Sequence, residues 1–407
     1  MSNNGNQEPL LRVEHLCQYF KSGSYENKAV NDVSFDIYKG EVFGLVGESG
    51  CGKTTTGRSI IRIYDITSGS IYFKGQRICA GTRSYKDAIK EARKELRELK
   101  DGDPASEARR QELEKSISDN REEIRKAKID HQNSDKMYAD KLVKEVKERY
   151  EKLFEQAKDK PEELAELKKK YKDELRVAKN TKLITQIQMI FQDPIASLNP
   201  RMTVREIISE GLVINGIRDK EYIDEKVYEI LEMVGLVREH AGRYPHEFSG
   251  GQRQRIGIAR SVIMKPDLLI ADEPISALDV SIQAQVINLL NDLRDQLGLT
   301  ILFIAHDLSV VKYFSDRIGV MYYGNMVELA PSDELFAHPM HPYTRSLLSA
   351  IPLPDPRAEK RRKRITYNAL AAHDYSVDKP TLREIIPGHF VHCNDAEEAA
   401  YRKEFNL

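Results

Sequence analysis

The segment Gly47–Thr54, GESGCGKT, has the residue types and spacing of a loop that binds a polyphosphate. It follows the apolar run EVFGLV and precedes the helical run TTGRSIIRIY. Its glycines let backbone N–H groups turn toward phosphate oxygens, and the helix N-terminus favours negative charge. We expect Lys53 to contact the β- and γ-phosphates and the Thr54 hydroxyl to ligate Mg²⁺. The alternative is a glycine-rich turn that binds nothing. The candidate nucleotide-binding residues of this loop are Gly47, Glu48, Ser49, Gly50, Cys51, Gly52, Lys53, Thr54 and Thr55.

The second motif is a pair of carboxylates at the end of the apolar run in LLIADEP, the position at which α/β folds place their ligands. Asp272 is suited to the Mg²⁺ shell, together with Thr54. Glu273 lies one residue further out and can polarise the water that attacks a γ-phosphate. Paired acids at a strand end can also do no more than solvate a turn. Together with the Lys53 loop, however, they predict a P-loop NTPase that uses ATP and Mg²⁺.

The segment Phe248–Arg255, FSGGQRQR, resembles the LSGGQ signature of ABC ATPases, with Phe248 in place of the usual Leu. The resemblance implies that this segment closes over the γ-phosphate held by the phosphate loop of a second subunit, so two half-sites form one active site. Read from the residues alone, the alternative is a Ser/Gly helix cap. The residues to which the resemblance gives this contact are Ser249, Gly250, Gly251 and Gln252.

Four further positions take their roles from the same resemblance. Gln192 in IFQDP is similar to the glutamine that contacts Mg²⁺ and the attacking water, and Asp279 in SALD to the acid at the dimer seam. His306, which ends TILFIAH, is similar to the histidine that contacts the γ-phosphate, although a histidine at a strand end is often structural. Tyr19 or Phe20 would stack on adenine, with Phe20 in the better register, but an aromatic there could also be core.

The surrounding pattern predicts an α/β fold. Residues Asp267–Glu273 and Thr300–His306 read as parallel strands buried on both faces, separated by an amphipathic helix over Ile282–Leu297. LITQIQMIFQDP reads as another buried strand, and SGSIYFKG as a strand of the first segment. The resemblance implies an ABC ATPase domain with a mixed or parallel sheet and a helical subdomain, formed by residues 1–83 and 183–330.

Residues 84–182 interrupt this pattern with a stretch in which charged residues of both signs are mixed and β-branched runs vanish. Apolar residues at spacings of three and four predict antiparallel helices that protrude from the body. Asp101–Pro104 and Lys160–Pro161 should mark helix breaks. A solvated decoration and a docking arm for a partner or a membrane surface are both open readings.

The C-terminal region, residues 331–407, carries HPMHPYTRSLLSAIPLPDP. This segment, PHEFSGGQRQRIGIAR and FQDPIASLNPRMTV resemble the ATPase subunits of oligopeptide and dipeptide permeases. The resemblance implies two transmembrane permeases, a second related ATPase or a second copy of this chain, and an extracytoplasmic peptide-binding protein as partners. We expect no iron–sulfur cluster, because Cys393 is the only cysteine in the tail. The segment PGHFVHC offers two histidines and one cysteine as possible metal ligands, but no fourth ligand motif accompanies them.

Charge and composition limit the other classes. The chain has 63 Lys and Arg against 64 Asp and Glu, so its overall charge does not attract it to nucleic acid, and we expect no nucleic-acid partner. No secretory pattern or apolar span is visible, which together with the resemblance predicts a peripheral protein at the cytoplasmic face of the membrane. We therefore expect an ATPase that energises uptake of oligopeptides or dipeptides. The alternative is a soluble ABC ATPase that acts on ribosomes or DNA.

Overall fold

The computed structural model describes residues 8–23, 25–99, 104–158, 160–351 and 364–405. The predicted helix break at 101–103 and the PLPDP end of the tail motif lie outside these ranges. The strands in the described ranges are β1 Leu11–Ser22, β2 Tyr25–Ile37, β3 Val42–Val46, β4 Ser68–Phe73, β5 Gln76–Ala80, β6 Ile187–Ile190, β7 Leu268–Asp272, β8 Thr300–Ala305, β9 Arg317–Tyr322, β10 Asn325–Pro331, β11 Thr381–Ile386 and β12 His389–Cys393.

The helices complete the framework, together with short 3₁₀ turns at 183–186, 238–242 and 245–247. In chain order the α-helices of the described ranges are α1 Lys53–Ile60, α2 Arg83–Glu98, α3 Pro104–Gln156, α4 Pro161–Asn180, α5 Pro194–Ser197, α6 Val204–Ile214, α7 Lys220–Met233, α8 Gly250–Val262, α9 Val280–Leu297, α10 Leu308–Phe314, α11 Ser332–Ala337, α12 Pro342–Ser349, α13 Ala369–Ala372 and α14 Asp395–Glu404.

The main sheet has eight strands in the order β11-β12-β10-β9-β3-β8-β7-β6. The five strands from β9 to β6 run parallel. Every residue of β3, β7 and β8 is buried, because helices cover one face and α1 with the antiparallel strands covers the other, which leaves no polar side to the pattern. The carboxyl ends of these three strands meet at one edge, which brings together the phosphate loop after β3, the acidic pair after β7 and His306 after β8.

A smaller antiparallel sheet, ordered β2-β1-β4-β5, carries the N-terminal strands. Its apolar side chains share a core cluster with β3, β7 and β8, including Leu11, Phe35, Ile71 and Leu45. The strand predicted in SGSIYFKG is confirmed as β4. This packing joins the two sheets and fixes Phe20, near the end of β1, relative to the phosphate loop.

The predicted strand in LITQIQMIFQDP is wrong in its first half. Leu183–Gln186 form a 3₁₀ turn, and only Ile187–Ile190 pair with β7. The Thr185 hydroxyl donates to the Lys182 carbonyl at 2.7 Å, and the Leu183 N–H donates to Asp135 of α3 at 2.9 Å. These bonds satisfy the backbone locally, so the segment has no need of the sheet ladder.

Helices α2, α3 and α4 occupy the stretch predicted to be helical. Helix α3 has 53 residues and spans about 80 Å. Its first half packs antiparallel on α2 through Ile89, Ala92, Leu113 and Ile117. Near its other end, Tyr150 and Phe154 pack against Tyr171 of α4.

The middle of α3 lies on the body of the protein. Tyr138 is 8% exposed and belongs to the core cluster of the two sheets. The Arg77 guanidinium of β5 contacts Asp130 at 2.8 Å and Glu123 at 3.2 Å. Thus the long helix is anchored at its centre, while α2 and α4 support its two halves. The proposed boundaries at 83 and 183 stay predictions.

The C-terminal hairpin β11–β12 continues the main sheet, because β12 pairs antiparallel with β10. Met340, Ile385, Val391, Cys393 and Tyr401 form a small core of their own beside it. The region predicted as a separate extension from residue 331 therefore shares the sheet of the nucleotide-binding core. Among the described helices, none is long and apolar enough to cross a membrane.

Candidate functional site

The loop between β3 and α1 is held in a shape that only glycine can take at two positions. Gly47 has φ +150° and Gly52 φ +108°. A Cβ at Gly47 would lie 2.2 Å from the Met321 carbonyl oxygen, and one at Gly52 would lie 2.2 Å from the Ala29 carbonyl oxygen. The backbone is therefore packed tightly against neighbouring strands on one side. Gly50, in contrast, has open space where a Cβ would stand.

Lys53 lies under this loop and is 4% exposed. Its ammonium group donates to the carbonyl oxygens of Gly47 at 2.7 Å and Glu48 at 2.9 Å. The ammonium group is thus buried, and its partners, these two carbonyl oxygens and the Cys51 sulfur at 3.8 Å, are neutral. Such a group favours an anion in the loop. Burial also raises the pKa of the adjacent Cys51 thiol, which keeps it neutral.

Thr54 and Asp272 meet across the first turn of α1. The Thr54 hydroxyl donates to Asp272 Oδ1 at 2.7 Å. The other oxygen, Asp272 Oδ2, is buried and has no hydrogen-bond partner within the described part of the chain. Burial raises the pKa of Asp272, and the Thr54 hydrogen bond opposes that rise. A hydroxyl beside a carboxylate oxygen without a partner fits the oxygen-only donor set of Mg²⁺.

Two side chains converge on one carboxylate oxygen of Glu273 beside this pair. Gln192 Nε2 donates to Glu273 Oε2 at 3.1 Å, and His306 Nδ1 lies 3.3 Å from the same oxygen. The Glu273 side chain is 13% exposed, while that of His306 is 55% exposed. The structure therefore brings together the three predicted catalytic residues, with His306 facing solvent.

Glu273 has a backbone that few residues of its type adopt. Its φ is +44°, in the left-handed region, which costs roughly 1–2 kcal/mol for an L-residue. Its N–H donates to the Ile304 carbonyl at 2.9 Å, and the Ser276 hydroxyl donates to its carbonyl at 3.1 Å. These bonds hold the strained turn, and the turn aims Glu273 away from the direction that a continued strand would give it.

The signature segment forms the start of α8. The Ser249 hydroxyl accepts from the Gln252 N–H at 3.3 Å, and Gln252 Oε1 accepts from the Ser249 N–H at 3.0 Å. This capping box is the cap that the residues alone suggested, and it leaves Ser249 and Gly250 exposed. Asp279 is the exposed N-cap residue of α9. The cap geometry does not compete with anion binding, because an N-terminus that faces solvent can still receive a phosphate.

The two aromatic candidates at the end of β1 lie in different surroundings. Phe20 is 37% exposed, and its ring meets Tyr64 edge to face at 5.2 Å between centroids. The Tyr19 hydroxyl instead donates to Asn31 at 2.6 Å, and Arg83 lies over its ring. Only Phe20 thus offers a ring to an incoming base. Its role stays a prediction.

Two residues near the site belong to no nucleotide-binding motif, so their sequence does not place them there. Tyr64, in the turn after α1, supports Phe20. Tyr343 of α12 accepts a hydrogen bond from the Glu48 N–H of the phosphate loop at 3.0 Å. That pair is separated by 295 residues, so no local pattern could have linked them. Within the described ranges, no group of three or more His, Cys, Asp or Glu side chains is placed to hold a metal ion.

Comparison with family models gives two matches. The ABC transporter model matches residues 30–173 and 152–276, together more than half of the chain. The model of the oligopeptide/dipeptide transporter C-terminal region matches residues 327–377. The second match covers β10, α11 and α12, including Tyr343.

Curated relatives match almost from end to end. The oligopeptide transport ATP-binding protein OppF of Bacillus subtilis is 46% identical over 395 residues, which is 97% of this chain and 99% of the relative. AmiF of Streptococcus pneumoniae, also an oligopeptide transport ATP-binding protein, is 43% identical over 98% of this chain and 99% of its own. The dipeptide transport ATP-binding protein DppF of Lactococcus lactis is 42% identical over 98% of each.

Solved structures share the fold at lower identity. The cassette cbiO1 of Clostridium perfringens superposes with a TM-score of 0.50 at 22% identity, covering 81% of this chain and 92% of its own. The dimeric cassette MJ0796 bound to ADP and Pi gives 0.50 at 21%, covering 79% and 98%. The ABC ATPase fold that the motifs predicted is confirmed. The chain belongs to the ABC transporter family and, within it, to the ATP-hydrolysing subunits of the oligopeptide/dipeptide permease group.

Proposed function

We propose that this chain hydrolyses ATP to energise the uptake of oligopeptides or dipeptides through partner membrane permeases. The observation that carries the catalytic part is the convergence of Gln192 and His306 on Glu273, beside the Thr54–Asp272 pair. The peptide part is supported by the names of the relatives and by the C-terminal family match. Which peptides are carried is decided by other subunits.

The phosphate loop supplies the binding half of the chemistry. Backbone N–H groups of residues 47–55 and the Lys53 ammonium would surround the β- and γ-phosphates, and Phe20 would stack on the adenine. Lys53 would exchange its bonds to the Gly47 and Glu48 carbonyls for phosphate oxygens. That exchange replaces neutral acceptors with charged ones, which are stronger partners for an ammonium group.

Mg²⁺ would be held by Thr54 and Asp272, with Gln192 within the same group of side chains. When bound, the ion supplies neutralising charge for the phosphate oxygens. The buried Asp272 Oδ2 without a partner is the observation that fits this site. The hydroxyl and the carboxylate are already in contact, so few side-chain changes are needed for binding.

Glu273 would orient and polarise the attacking water through its carboxylate. The Gln192 amide donates to Glu273 Oε2 and so fixes the direction of that carboxylate. With its hydrogen on Nδ1, His306 donates to the same oxygen and leaves Nε2 free toward solvent. To stabilise charge on the γ-phosphate, His306 would have to present an N–H to it, because a ring nitrogen without a hydrogen can only accept.

The second half-site would come from another subunit. Ser249, Gly250, Gly251 and Gln252 present a helix start to solvent, and Asp279 presents a second one. Within the described residues, the Ser249 hydrogen bonds are made to Gln252 and Arg253 of its own helix. We therefore infer a nucleotide-sandwiched dimer with a second related ATPase or with another copy. ATP would close this dimer and hydrolysis would reopen it.

The assembly follows from the same proposal. Two transmembrane permeases would anchor the chain at the cytoplasmic face of the membrane as a peripheral subunit, and an extracytoplasmic peptide-binding protein would deliver the cargo. The alternative, a soluble ABC ATPase acting on ribosomes or DNA, has no observation in its favour. The match to the oligopeptide/dipeptide C-terminal region supports the transporter instead.

The Glu273→Gln variant tests the proposal. It keeps the hydrogen bonds at this position but removes the carboxylate charge, so hydrolysis by the purified chain should fall roughly hundredfold or more while ATP binding persists. In cells of the source organism, uptake of labelled di- and oligopeptides should be lost at an unchanged protein level. The Glu239→Gln variant alters an exposed carboxylate of a surface turn and serves as the control. Unchanged hydrolysis would remove Glu273 from the mechanism, and unchanged uptake would remove peptide import.

A further inference from the structure

The phosphate loop is fixed by a residue that lies outside every nucleotide-binding motif. The Glu48 N–H, at the second position of the loop, donates to the Tyr343 hydroxyl at 3.0 Å. Tyr343 belongs to the HPYT segment of the C-terminal region and is 2% exposed. Glu48 directly follows Gly47, whose position against the Met321 carbonyl leaves no room for a side chain. The hydrogen bond therefore acts where the strand turns into the loop.

The Tyr343 ring has a fixed position. It packs on Tyr322 at 4.4 Å and on Tyr367 at 5.5 Å between centroids. Burial raises the pKa of Tyr343 above its usual range, so the hydroxyl stays neutral. A neutral hydroxyl accepts from the Glu48 N–H without placing a negative charge beside the phosphates. The contact thus suits a residue that shapes an anion site.

The start of α12 holds Tyr343 from the other side. The Tyr343 N–H donates to His341 Nδ1 at 3.1 Å. Burial lowers the pKa of His341 to about 3, so the ring is neutral and can accept this bond. The backbone N–H of His341 donates to Glu328 Oε2 at 3.1 Å, and the backbone N–H of Met340 donates to Glu328 Oε1 at 2.7 Å.

Glu328 connects this turn to the C-terminal hairpin. It lies on β10 with no exposed surface, and His389 Nε2 of β12 contacts its Oε1 at 2.8 Å. A continuous series of buried contacts therefore runs from β12 through Glu328, His341 and Tyr343 to Glu48. A second contact, from the Gly324 N–H of the β9–β10 turn to the Cys51 carbonyl at 2.9 Å, holds the middle of the loop.

We propose that Tyr343 is a positioning residue for the phosphate loop, through which the C-terminal HPYT segment sets the affinity of this subunit for ATP. The proposal rests on the proposed function, because it takes the phosphate loop as the nucleotide site. Without the hydroxyl, the Glu48 N–H loses its partner and the loop gains conformations that do not bind phosphate. Apparent affinity falls in proportion to the fraction of competent loop. The contacts of Glu273 with Gln192 and His306 do not involve Glu48, so the bound nucleotide should still be hydrolysed at the normal rate.

The Tyr343→Phe variant of the full-length chain tests this inference. It keeps the ring and its packing and removes only the acceptor of the Glu48 hydrogen bond. We expect the Kd for Mg-ATP and the KM to rise about tenfold, with kcat within about twofold of the unmodified chain, since a lost buried hydrogen bond has an effect of this order. Thermal unfolding without nucleotide reports whether the core has been damaged.

The matched control is the Tyr375→Phe variant. The Tyr375 hydroxyl donates to Glu397 at 3.2 Å in the same C-terminal region but does not contact the phosphate loop. It should leave Kd and KM unchanged. The Lys53→Ala variant should lose ATP binding altogether and marks the nucleotide site itself.

Each outcome separates the two proposals. If Tyr343→Phe binds ATP as the unmodified chain does while Lys53→Ala loses binding, the positioning role is wrong and the nucleotide site stands. Equal weakening in Tyr343→Phe and Tyr375→Phe would also overturn it, because general packing would then be responsible. Tight ATP binding by Lys53→Ala would overturn the nucleotide site and this inference with it.

Discussion

At the scale of single residues, Asp272 and Glu273 are neighbours in sequence but differ in environment. Asp272 is fully buried, with one carboxylate oxygen bonded to Thr54 and the other without a partner in the described chain. Glu273 turns out of the strand at φ +44° and receives Gln192 and His306. The two acids therefore occupy two physically different sites, while their roles as metal ligand and water activator stay predictions.

The surroundings of Asp272 lead to a prediction about pH and metal. Burial raises the pKa of Asp272, so the ionised form is unfavourable in the folded, metal-free protein. The free energy of unfolding should consequently fall as pH rises through that raised pKa. The Asp272→Asn variant removes this loss and should gain stability over the unmodified chain at pH 8 relative to about pH 4, which is near the ordinary pKa of an aspartate. Its Mg-dependent ATP hydrolysis should fall by about a hundredfold or more.

Thermal unfolding at the two pH values in the presence of a chelator measures the first effect. The Asp295→Asn variant, which alters a carboxylate with 71% of its side chain exposed, should show neither change. If the stability of Asp272→Asn and of the unmodified chain changes with pH to the same extent, burial does not disfavour the ionised Asp272 carboxylate and the account is contradicted.

The candidate catalytic residues could be selected from the sequence because each belongs to a short motif whose chemistry depends on local order. The Lys53 loop, the acidic pair and His306 all follow apolar runs that form β3, β7 and β8. Tyr343 and Tyr64 could not be predicted, since their contacts with Glu48 and Phe20 depend on how distant segments pack. Nor does sequence order reveal the left-handed backbone of Glu273.

At the scale of elements, the long helix α3 differs most from the sequence-based picture. Charge and periodicity correctly indicated helices, but they suggested protrusion from the body. The centre of α3 instead lies on the sheets, where Tyr138 enters the core and Lys74 lies 5.2 Å from its ring centre. Burial raises the pKa of Tyr138 to about 12. One buried aromatic at the centre of a charged helix gives too weak a periodic signal to predict such an anchor.

This anchor predicts the effect of a truncation. The Tyr138→Ala variant should lower the free energy of unfolding by about 3 kcal/mol, the amount typical for removal of a buried aromatic ring. The Met137→Ala variant is the matched control, because Met137 is the preceding residue of α3 and is 60% exposed. It should change stability by less than about 0.5 kcal/mol. Urea unfolding of both variants measures the difference, and equal effects would show that α3 is not fixed through Tyr138.

The contacts of the charged helices bear on both readings of this region, solvated decoration and docking arm. A helix fixed at its centre presents both halves to solvent together with α2 and α4. Arg176 of α4 donates to the Gly216 carbonyl at 3.0 Å, in the loop between α6 and α7. The helices therefore contact the region that carries the signature segment as well as the sheets.

At the scale of the whole molecule, one sheet joins the nucleotide site and the C-terminal region. Strands β3, β9, β10 and β12 are neighbours in that order, and the bonds of Glu328 and Tyr343 run alongside them to the phosphate loop. In contrast, the signature segment faces solvent at the start of α8. We therefore propose that a second subunit brings the phosphate loop and the signature segment together to form the complete ATP site.

Affinity purification of the tagged chain from its native membrane tests the central claim most directly. The account predicts that two multi-span permeases and a second ATPase purify with it, and that a peptide-binding protein joins the assembly. The Lys53→Ala variant should retain the permeases, since the phosphate loop is not proposed to contact them. Recovery of ribosomal or DNA-repair proteins without any permease would contradict the account and move the ATPase to the soluble class.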